Sequence, residues 1–219
     1  EAIRKFPSNN TLKYVYSKCL MAEGQYADAR KALMKTIILP SEGARYGRTT
    51  YRQACIMESL RLYKRGQYKS AIGLISQSRL WPENLGAGKP YNPDERIEDF
   101  LEGKYREKLG QPNIAEKLYH NIIEFTEGKP SGYSSTDYLY VLALKYLKQF
   151  DKADDFMNDW EKNKSNNSIL EWIKSVLNNN FNKSTEIESL INTQTGGTPW
   201  DPKYADSEFE IIKIISKTF

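Results

Sequence analysis

A short phrase recurs along this chain of 219 residues: a glycine or its substitute, an aromatic two positions on, and an alanine three after that. It reads Gly24-Gln25-Tyr26 with Ala29, Gly66-Gln67-Tyr68 with Ala71, Gly110-Gln111-Pro112 with Ala115, and Lys148-Gln149-Phe150 with Ala153. Each part has a physical task. Glycine takes, without steric cost, the left-handed conformation that stops a helix. The next residues open a second helix, and Pro112 is tolerated in a first helical turn. Alanine is small enough to let two helix axes approach closely. Apolar stripes follow at helical spacing, such as Tyr68, Ala71, Ile72 and Ile75, or Ala115, Leu118, Tyr119, Ile122 and Ile123. Each phrase therefore predicts a helical hairpin. The alanines at 29, 71, 115 and 153 are spaced by 42, 44 and 38 residues. Recurrence on that scale marks stacked hairpins, which bury their inner faces only against their neighbours.

The remaining punctuation fits this reading. A helix is expected over 10–22, a second up to Pro40, and a third over 48–64, with its partner running to about Leu80. Proline ends helices because the residue before it is pushed out of the helical region. Asn92, Pro93 and Glu95 have the spacing of a helix start, which would run to Leu109. Ser134 and Asp137 cap a further helix. Ser168 with Glu171, then Thr185 with Glu188, open what reads as a worn fifth hairpin. Ser207 with Glu210 opens a last helix from Phe209 to Lys217. Its Ile211, Ile212, Ile214 and Ile215 are apolar nearly all round, as expected of a helix that caps the stack or docks on a further domain. The expected architecture is all-α, a right-handed arc: four hairpins over 1–163, then a degenerate hairpin and capping helix over 164–219 of the same domain.

Composition narrows the function. The net charge of +4, from 32 basic and 28 acidic residues, is mild and evenly spread, so no basic tract points to nucleic acid. No apolar run approaches the roughly 20 residues of a membrane span. The chain opens on Glu1-Ala2-Ile3-Arg4, as if inside a helix, and so reads as a piece of a longer protein whose compartment is not legible. Cys19 and Cys55 fall in expected helices and read as two small buried residues, not a disulfide. His120 is the only histidine, so a metal site built on histidines is excluded. Asp94 and Glu95 are claimed by helix capping, which leaves no spare carboxylate pair for glycoside chemistry. No catalytic residue, metal or cofactor is expected.

Two candidate surfaces remain. First helices of stacked hairpins line a groove that commonly takes peptides. Its candidate positions are Tyr14, Lys18, Gln53, Ile56, Tyr63, Lys104, Lys108, Tyr138, Lys145 and Tyr146; tyrosines with lysines suit an acidic or C-terminal peptide. The same residues read equally as seam tyrosines and solvated lysines. The second surface is the long connector 81–92. Trp81, Glu83, Asn84, Lys89 and Tyr91 offer an aromatic plane, a carboxylate, an amide and an ammonium. Trp200, in the Gly/Pro-rich stretch 196–202, is a second tryptophan beside a proline. The plainer reading has Trp81 and Leu85 pinning a connector to the stack.

The hairpin phrase resembles the tetratricopeptide repeat, carried by Gly24, Tyr26, Ala29 and Leu33, by Gly66, Tyr68, Ala71 and Ile75, and by Gly103, Gly110, Ala115 and Tyr119. The repeat's first-helix tryptophan is absent. The connectors Leu39–Arg45 and Ser78–Tyr91, above all Trp81-Pro82-Glu83-Asn84-Leu85-Gly86, resemble the C-terminal repeat region of an uncharacterised bacterial family. There a β-sandwich domain similar to sugar mutarotases and glycoside-hydrolase accessory domains precedes the repeats. The resemblance spans roughly residues 10–130 and implies a carbohydrate connection for the parent protein. The expected function is a non-catalytic scaffold that binds a protein or peptide, or the parent's own upstream domain, with no nucleic acid or membrane. The alternative is the helical accessory part of a carbohydrate-active enzyme, with loops 81–92 and 196–202 completing a sugar site.

Overall fold

The computed structural model describes residues 2–40, 45–129, 133–163, 167–195 and 208–219; among these there are helices and irregular connectors but no strand. A short helix α1 (Ala2–Lys5) precedes five hairpins. They pair α2 (Asn10–Ala22) with α3 (Tyr26–Met34), α4 (Tyr46–Lys64) with α5 (Tyr68–Ser78), α6 (Arg96–Lys108) with α7 (Pro112–Glu127), α8 (Asp137–Tyr146) with α9 (Phe150–Asn163), and α10 (Ser168–Leu177) with α11 (Phe181–Thr195). The last helix is α12 (Phe209–Ser216). Helices pack within each hairpin, and α3 on α4, α5 on α6 and α7 on α8 join one hairpin to the next. The fold is thus all-α, built of consecutive stacked hairpins.

The turn phrase works as its chemistry requires. Gly24, Gly66 and Gly110 sit at φ of 69°, 73° and 70°, and Lys148, which replaces glycine, is held at 58°. The next N–H reaches back five residues each time: Gln25 to Leu20 O at 2.8 Å, Gln67 to Leu62 O at 2.9 Å, Gln111 to Arg106 O at 3.0 Å, Gln149 to Leu144 O at 2.9 Å. These bonds satisfy carbonyls that the helix end leaves open. A fifth copy uses different side chains from the sequence phrase. Asn179 has φ 55°, and Asn180 N–H bonds Ser175 O at 2.8 Å. Phe181 follows, and Ser184 stands in the alanine's place, 2% exposed. The four alanines are no more than 2% exposed.

Several boundaries differ from expectation. The second helix ends at Met34, not Pro40, because the Asn84 amide donates to the carbonyls of Leu33 at 3.1 Å and Thr36 at 2.7 Å. That hold turns the chain into an extended run, closed by Ile38 N–H on Asn84 O at 2.8 Å. Helix α6 begins at Arg96, three residues later than Pro93. Asp94, not Asn92, receives the Arg96 N–H at 3.2 Å, and its carboxylate also takes the guanidinium of the same residue. Helix α11 starts at Phe181, ahead of Thr185. Cys55 is buried but Cys19 is exposed, and both are free thiols.

The main core cluster runs from Ile56 to Ile215, through hairpins two to five and α12. Smaller clusters serve the first hairpin, one around Leu33, Tyr51, Cys55 and Leu85, the other around Leu20, Met21, Ala29 and Ala54. Ionic groups lace the seams. Arg52 on α4 grips Glu98 on α6 at 2.6 Å, and Arg96 on α6 grips Asp137 on α8 at 2.5 Å. Against the desolvation that burial imposes, the charge and hydrogen bonds of Arg52 hold the Glu98 carboxyl below its usual range.

The place of α12 departs most from expectation. It lies along the first-helix face instead of closing an end of the stack. Glu208 pairs with Arg52 of α4 at 2.7 Å, Phe209 meets Trp172 of α10 at 5.0 Å, and Phe219 meets Tyr63 of α4 at 4.9 Å and Phe100 of α6 at 5.9 Å. An eight-residue helix is only about 12 Å long. It and the residues flanking it reach first helices of the second, third and fifth hairpins, so that face is concave. Phe209, Ile211, Ile212 and Ile215 are at most 3% exposed. Burying four such side chains contributes about 6–12 kcal/mol. Fixing eight residues costs about 8–16 kcal/mol in backbone entropy. The two nearly cancel, so α12 is a helix because the groove holds it.

Candidate functional site

The sequence-derived groove residues divide into three groups. Tyr63 and Lys104 come together around the end of the chain. Tyr63 stacks on Tyr105 at 5.1 Å, and both Tyr63 and Phe100 face Phe219. Lys104 Nζ donates to Glu107 Oε2 at 2.7 Å and hydrogen-bonds the Tyr146 hydroxyl. It also lies 4.2 Å from the Tyr146 ring centre and 5.8 Å from that of Phe219. Burial works against the charge on Lys104, but Glu107 and Tyr146 outweigh it and raise its pKa. Tyr146 stacks on Tyr119 at 4.9 Å, and Tyr119 donates to Glu107 Oε1 at 2.8 Å.

A second group is core, not groove surface. Tyr138, Gln53 and Ile56 are buried. The Tyr138 ring meets Trp172 at 5.7 Å, because α10 packs where an open groove position was expected. Tyr14 lies at the α2–α4 seam, its ring 4.9 Å from Tyr46 and its hydroxyl 3.3 Å from Thr50 Oγ1. The third group stays toward solvent: Lys108 is exposed, and Lys18 and Lys145 are half-buried.

Sequence reasoning missed the groove's own occupant, and with it Arg52, Phe100, Trp172 and Glu188. Arg52 holds Glu98 through Nε and Nη2, both at 2.6 Å, and holds Glu208 through Nη1. Trp172 donates its indole N–H to Glu188 Oε1 at 3.2 Å, and Lys217 reaches Glu188 Oε2 at 2.9 Å. The available signal was the Ile211–Ile215 run, apolar nearly all round but for Lys213, which demands cover on most sides.

The connector 81–92 is two pieces with different roles. Its first half is structural. Trp81 is half-buried with the Arg48 guanidinium 4.4 Å from its ring centre, so the stacking platform expected there is covered. Asn84 is spent on the carbonyls of the first hairpin, and Leu85 is fully buried. Gly86 takes φ 68°, and a Cβ there would lie 2.6 Å from Ile38 O. Glu83 is exposed. The second half overhangs an open cleft of about 450 Å³ lined by Lys89, Tyr91, Glu95, Asn121, Glu124 and Phe125 among others. Tyr91 is fully exposed. Trp200 lies outside the described residues.

The carboxylates beside this cleft are already engaged. Asp94 pairs with Arg96 at 2.8 Å and Lys129 at 3.0 Å, Glu95 with Arg79 at 3.2 Å, and Asp99 with Arg79 at 2.7 Å. Burial disfavours the Asp94 charge, but Arg96 and Lys129 overcome it and bring its pKa down to about 2. His120 is exposed on α7. Among the described residues no group of three His, Cys, Asp or Glu side chains is placed to hold a metal ion, and no helix is long and apolar enough to cross a membrane.

Fold and site together define an all-α stack of helical hairpins whose first-helix face grips a short apolar helix. Comparison with family models, curated proteins and solved structures finds no match.

Proposed function

We propose that this chain is a non-catalytic helical-repeat scaffold, of tetratricopeptide-like design, that binds protein segments through its concave first-helix face. The observation that carries this reading is α12, a helix too short to be stable alone, seated on Arg52, Tyr63, Phe100 and Trp172. The face is preformed by packed hairpins, which lowers the ordering cost of binding. The engagement of Asp94, Glu95, Glu98 and Asp99 in ion pairs supports a docking role over a reaction centre. Exposed Lys108 and half-buried Lys145 favour a segment carrying acidic residues. The test is reassociation of residues 1–195 with a synthetic peptide of residues 207–219. Saturable one-to-one binding in titration calorimetry, with recovery of the parent melting temperature, is expected. A first piece that never takes up the peptide, folded or not, contradicts the reading.

A second reading, the sugar-binding accessory part of a carbohydrate-active enzyme, is favoured by Tyr91 alone. A fully exposed aromatic ring above a polar cleft presents a face for a pyranose. Under this reading maltose or cellobiose shifts the amide resonances of Lys89, Tyr91 and Asn121, and Tyr91→Ala abolishes the shifts. No shift with either disaccharide removes it.

A further inference from the structure

We propose that α12 is an exchangeable occupant of the first-helix face, and that the scaffold's partner is a second short helix bearing the same side-chain pattern. This rests on the scaffold reading above and adds the partner's chemistry and its control. The pattern is read from the contacts. A carboxylate just before the helix meets Arg52, an aromatic at its first position meets Trp172, aliphatics stand at its third, fourth and seventh positions, and an aromatic beyond its end enters the Tyr63–Phe100 corner. This is helix-in-groove recognition with a charged anchor at one end.

Most of the groove's polar groups keep a partner without α12, and this is what makes exchange feasible. Burying a charge without a partner is costly, so a groove that orphaned one on release would stay locked. Here Arg52 keeps both bonds to Glu98 when Glu208 leaves. Glu188 gives up Lys217 but keeps the Trp172 indole N–H, and Lys104 keeps Glu107 and Tyr146. Tyr63 keeps its stack on Tyr105. What is lost is apolar cover and the pairs Glu208–Arg52 and Lys217–Glu188, which another helix of the same pattern, with a cation near its end, restores. Twelve residues separate Thr195 from Glu208 in the sequence, and a covalently tethered occupant competes at an effective concentration on the order of millimolar. The tether therefore sets a threshold: a partner helix must bind more tightly than α12 or be abundant.

Two measurements on the full chain test this. In native-state hydrogen exchange, amides of Ile212 to Ser216 should exchange at least about tenfold faster than those of Ile56, Phe100 and Ile122, as a separately opening unit does. Equal protection overturns exchange while leaving the groove's capacity to hold a helix untouched. In the second, a fluorescent peptide of residues 207–219 is titrated into the full chain and into its Glu208→Lys variant, whose fold is checked by circular dichroism. The peptide should bind the variant at least about tenfold more tightly, since only the tethered copy has lost its Arg52 anchor. Equal affinity for both chains, or no binding to the variant, overturns the proposal.

Discussion

At the scale of single residues, the left-handed position of the hairpin turn recurs five times among the described residues, and sequence decides how well each is filled. Gly66 has open space around it, yet sits at φ 73°. Gly66→Ala therefore meets no neighbour and reports backbone strain alone, about 1 kcal/mol. Lys148 already bears that strain at φ 58°. Thermal melts should show Gly66→Ala lowering Tm by about 2–4 °C and Lys148→Gly raising it by a similar amount. Effects of the same sign would mean that the turns are not equivalent. The first four turns were legible because the alanine survives in every copy and the glycine and the aromatic each in three of four. The fifth was not, because Asn179, Phe181 and Ser184 meet the same backbone demand with different side chains. Asparagine tolerates the left-handed region, and serine is nearly as small as alanine.

At the scale of elements, α4 and α6 are joined by an ion pair with one wholly buried member, Glu98 at 0% exposure. Removing Arg52 leaves the buried Glu98 charge with the Ser78 hydroxyl, at 3.1 Å, in place of its bidentate cation, whereas replacing both groups by apolar ones leaves no such charge. Arg52→Ala should cost about 3–5 kcal/mol in urea unfolding, and the double variant Arg52→Met with Glu98→Leu should recover most of that loss, falling short by the Glu208 anchor that Arg52 also supplies. Similar losses in both would show that the seam is held by something else.

Asp94, at the start of α6, gives the chain an acid-sensitive joint. Its folded pKa, about 2, lies below the unfolded value of 3.8. The unfolded state therefore binds the proton first, and this contribution is present above pH 4 and lost as pH falls toward 2. Urea midpoints measured from pH 5 to pH 2 should fall less steeply for Asp94→Asn than for the parent. Identical slopes would remove Asp94 from the account. Of the helices, those opened by the turn phrase were legible nearly to the residue, as α5 and α7 show. The ends set by tertiary contacts were not. Helix α3 stops early because Asn84, fifty residues away, takes its carbonyls. Helix α6 starts late because the Asp94 carboxylate, in accepting from Arg96, overrides a local signal at Asn92 and Pro93.

At the scale of the whole molecule, stacking hairpins creates a concave face, and this chain fills its own. The pattern of the sequence announced the face and listed Tyr63 and Lys104 on it. It left the occupant out, because an apolar Ile211–Ile215 helix looks the same whether it caps an end or fills a groove; only the partner residues, scattered from Arg52 to Glu188, distinguish the two. The loop split by Gly86 was half legible for the same reason. Trp81 and Tyr91 are both aromatics in one connector, and only packing reveals that Arg48 covers the first while the second stands in solvent.

The claim that the C-terminal segment fills the first-helix face is tested most directly by a double-mutant cycle on Tyr63 and Phe219, whose rings lie 4.9 Å apart. With Tyr63→Ala, Phe219→Ala and the pair measured by urea unfolding of the full chain, the account predicts a coupling of about 0.5–1.5 kcal/mol. Strictly additive losses would place Phe219 away from Tyr63 and contradict it.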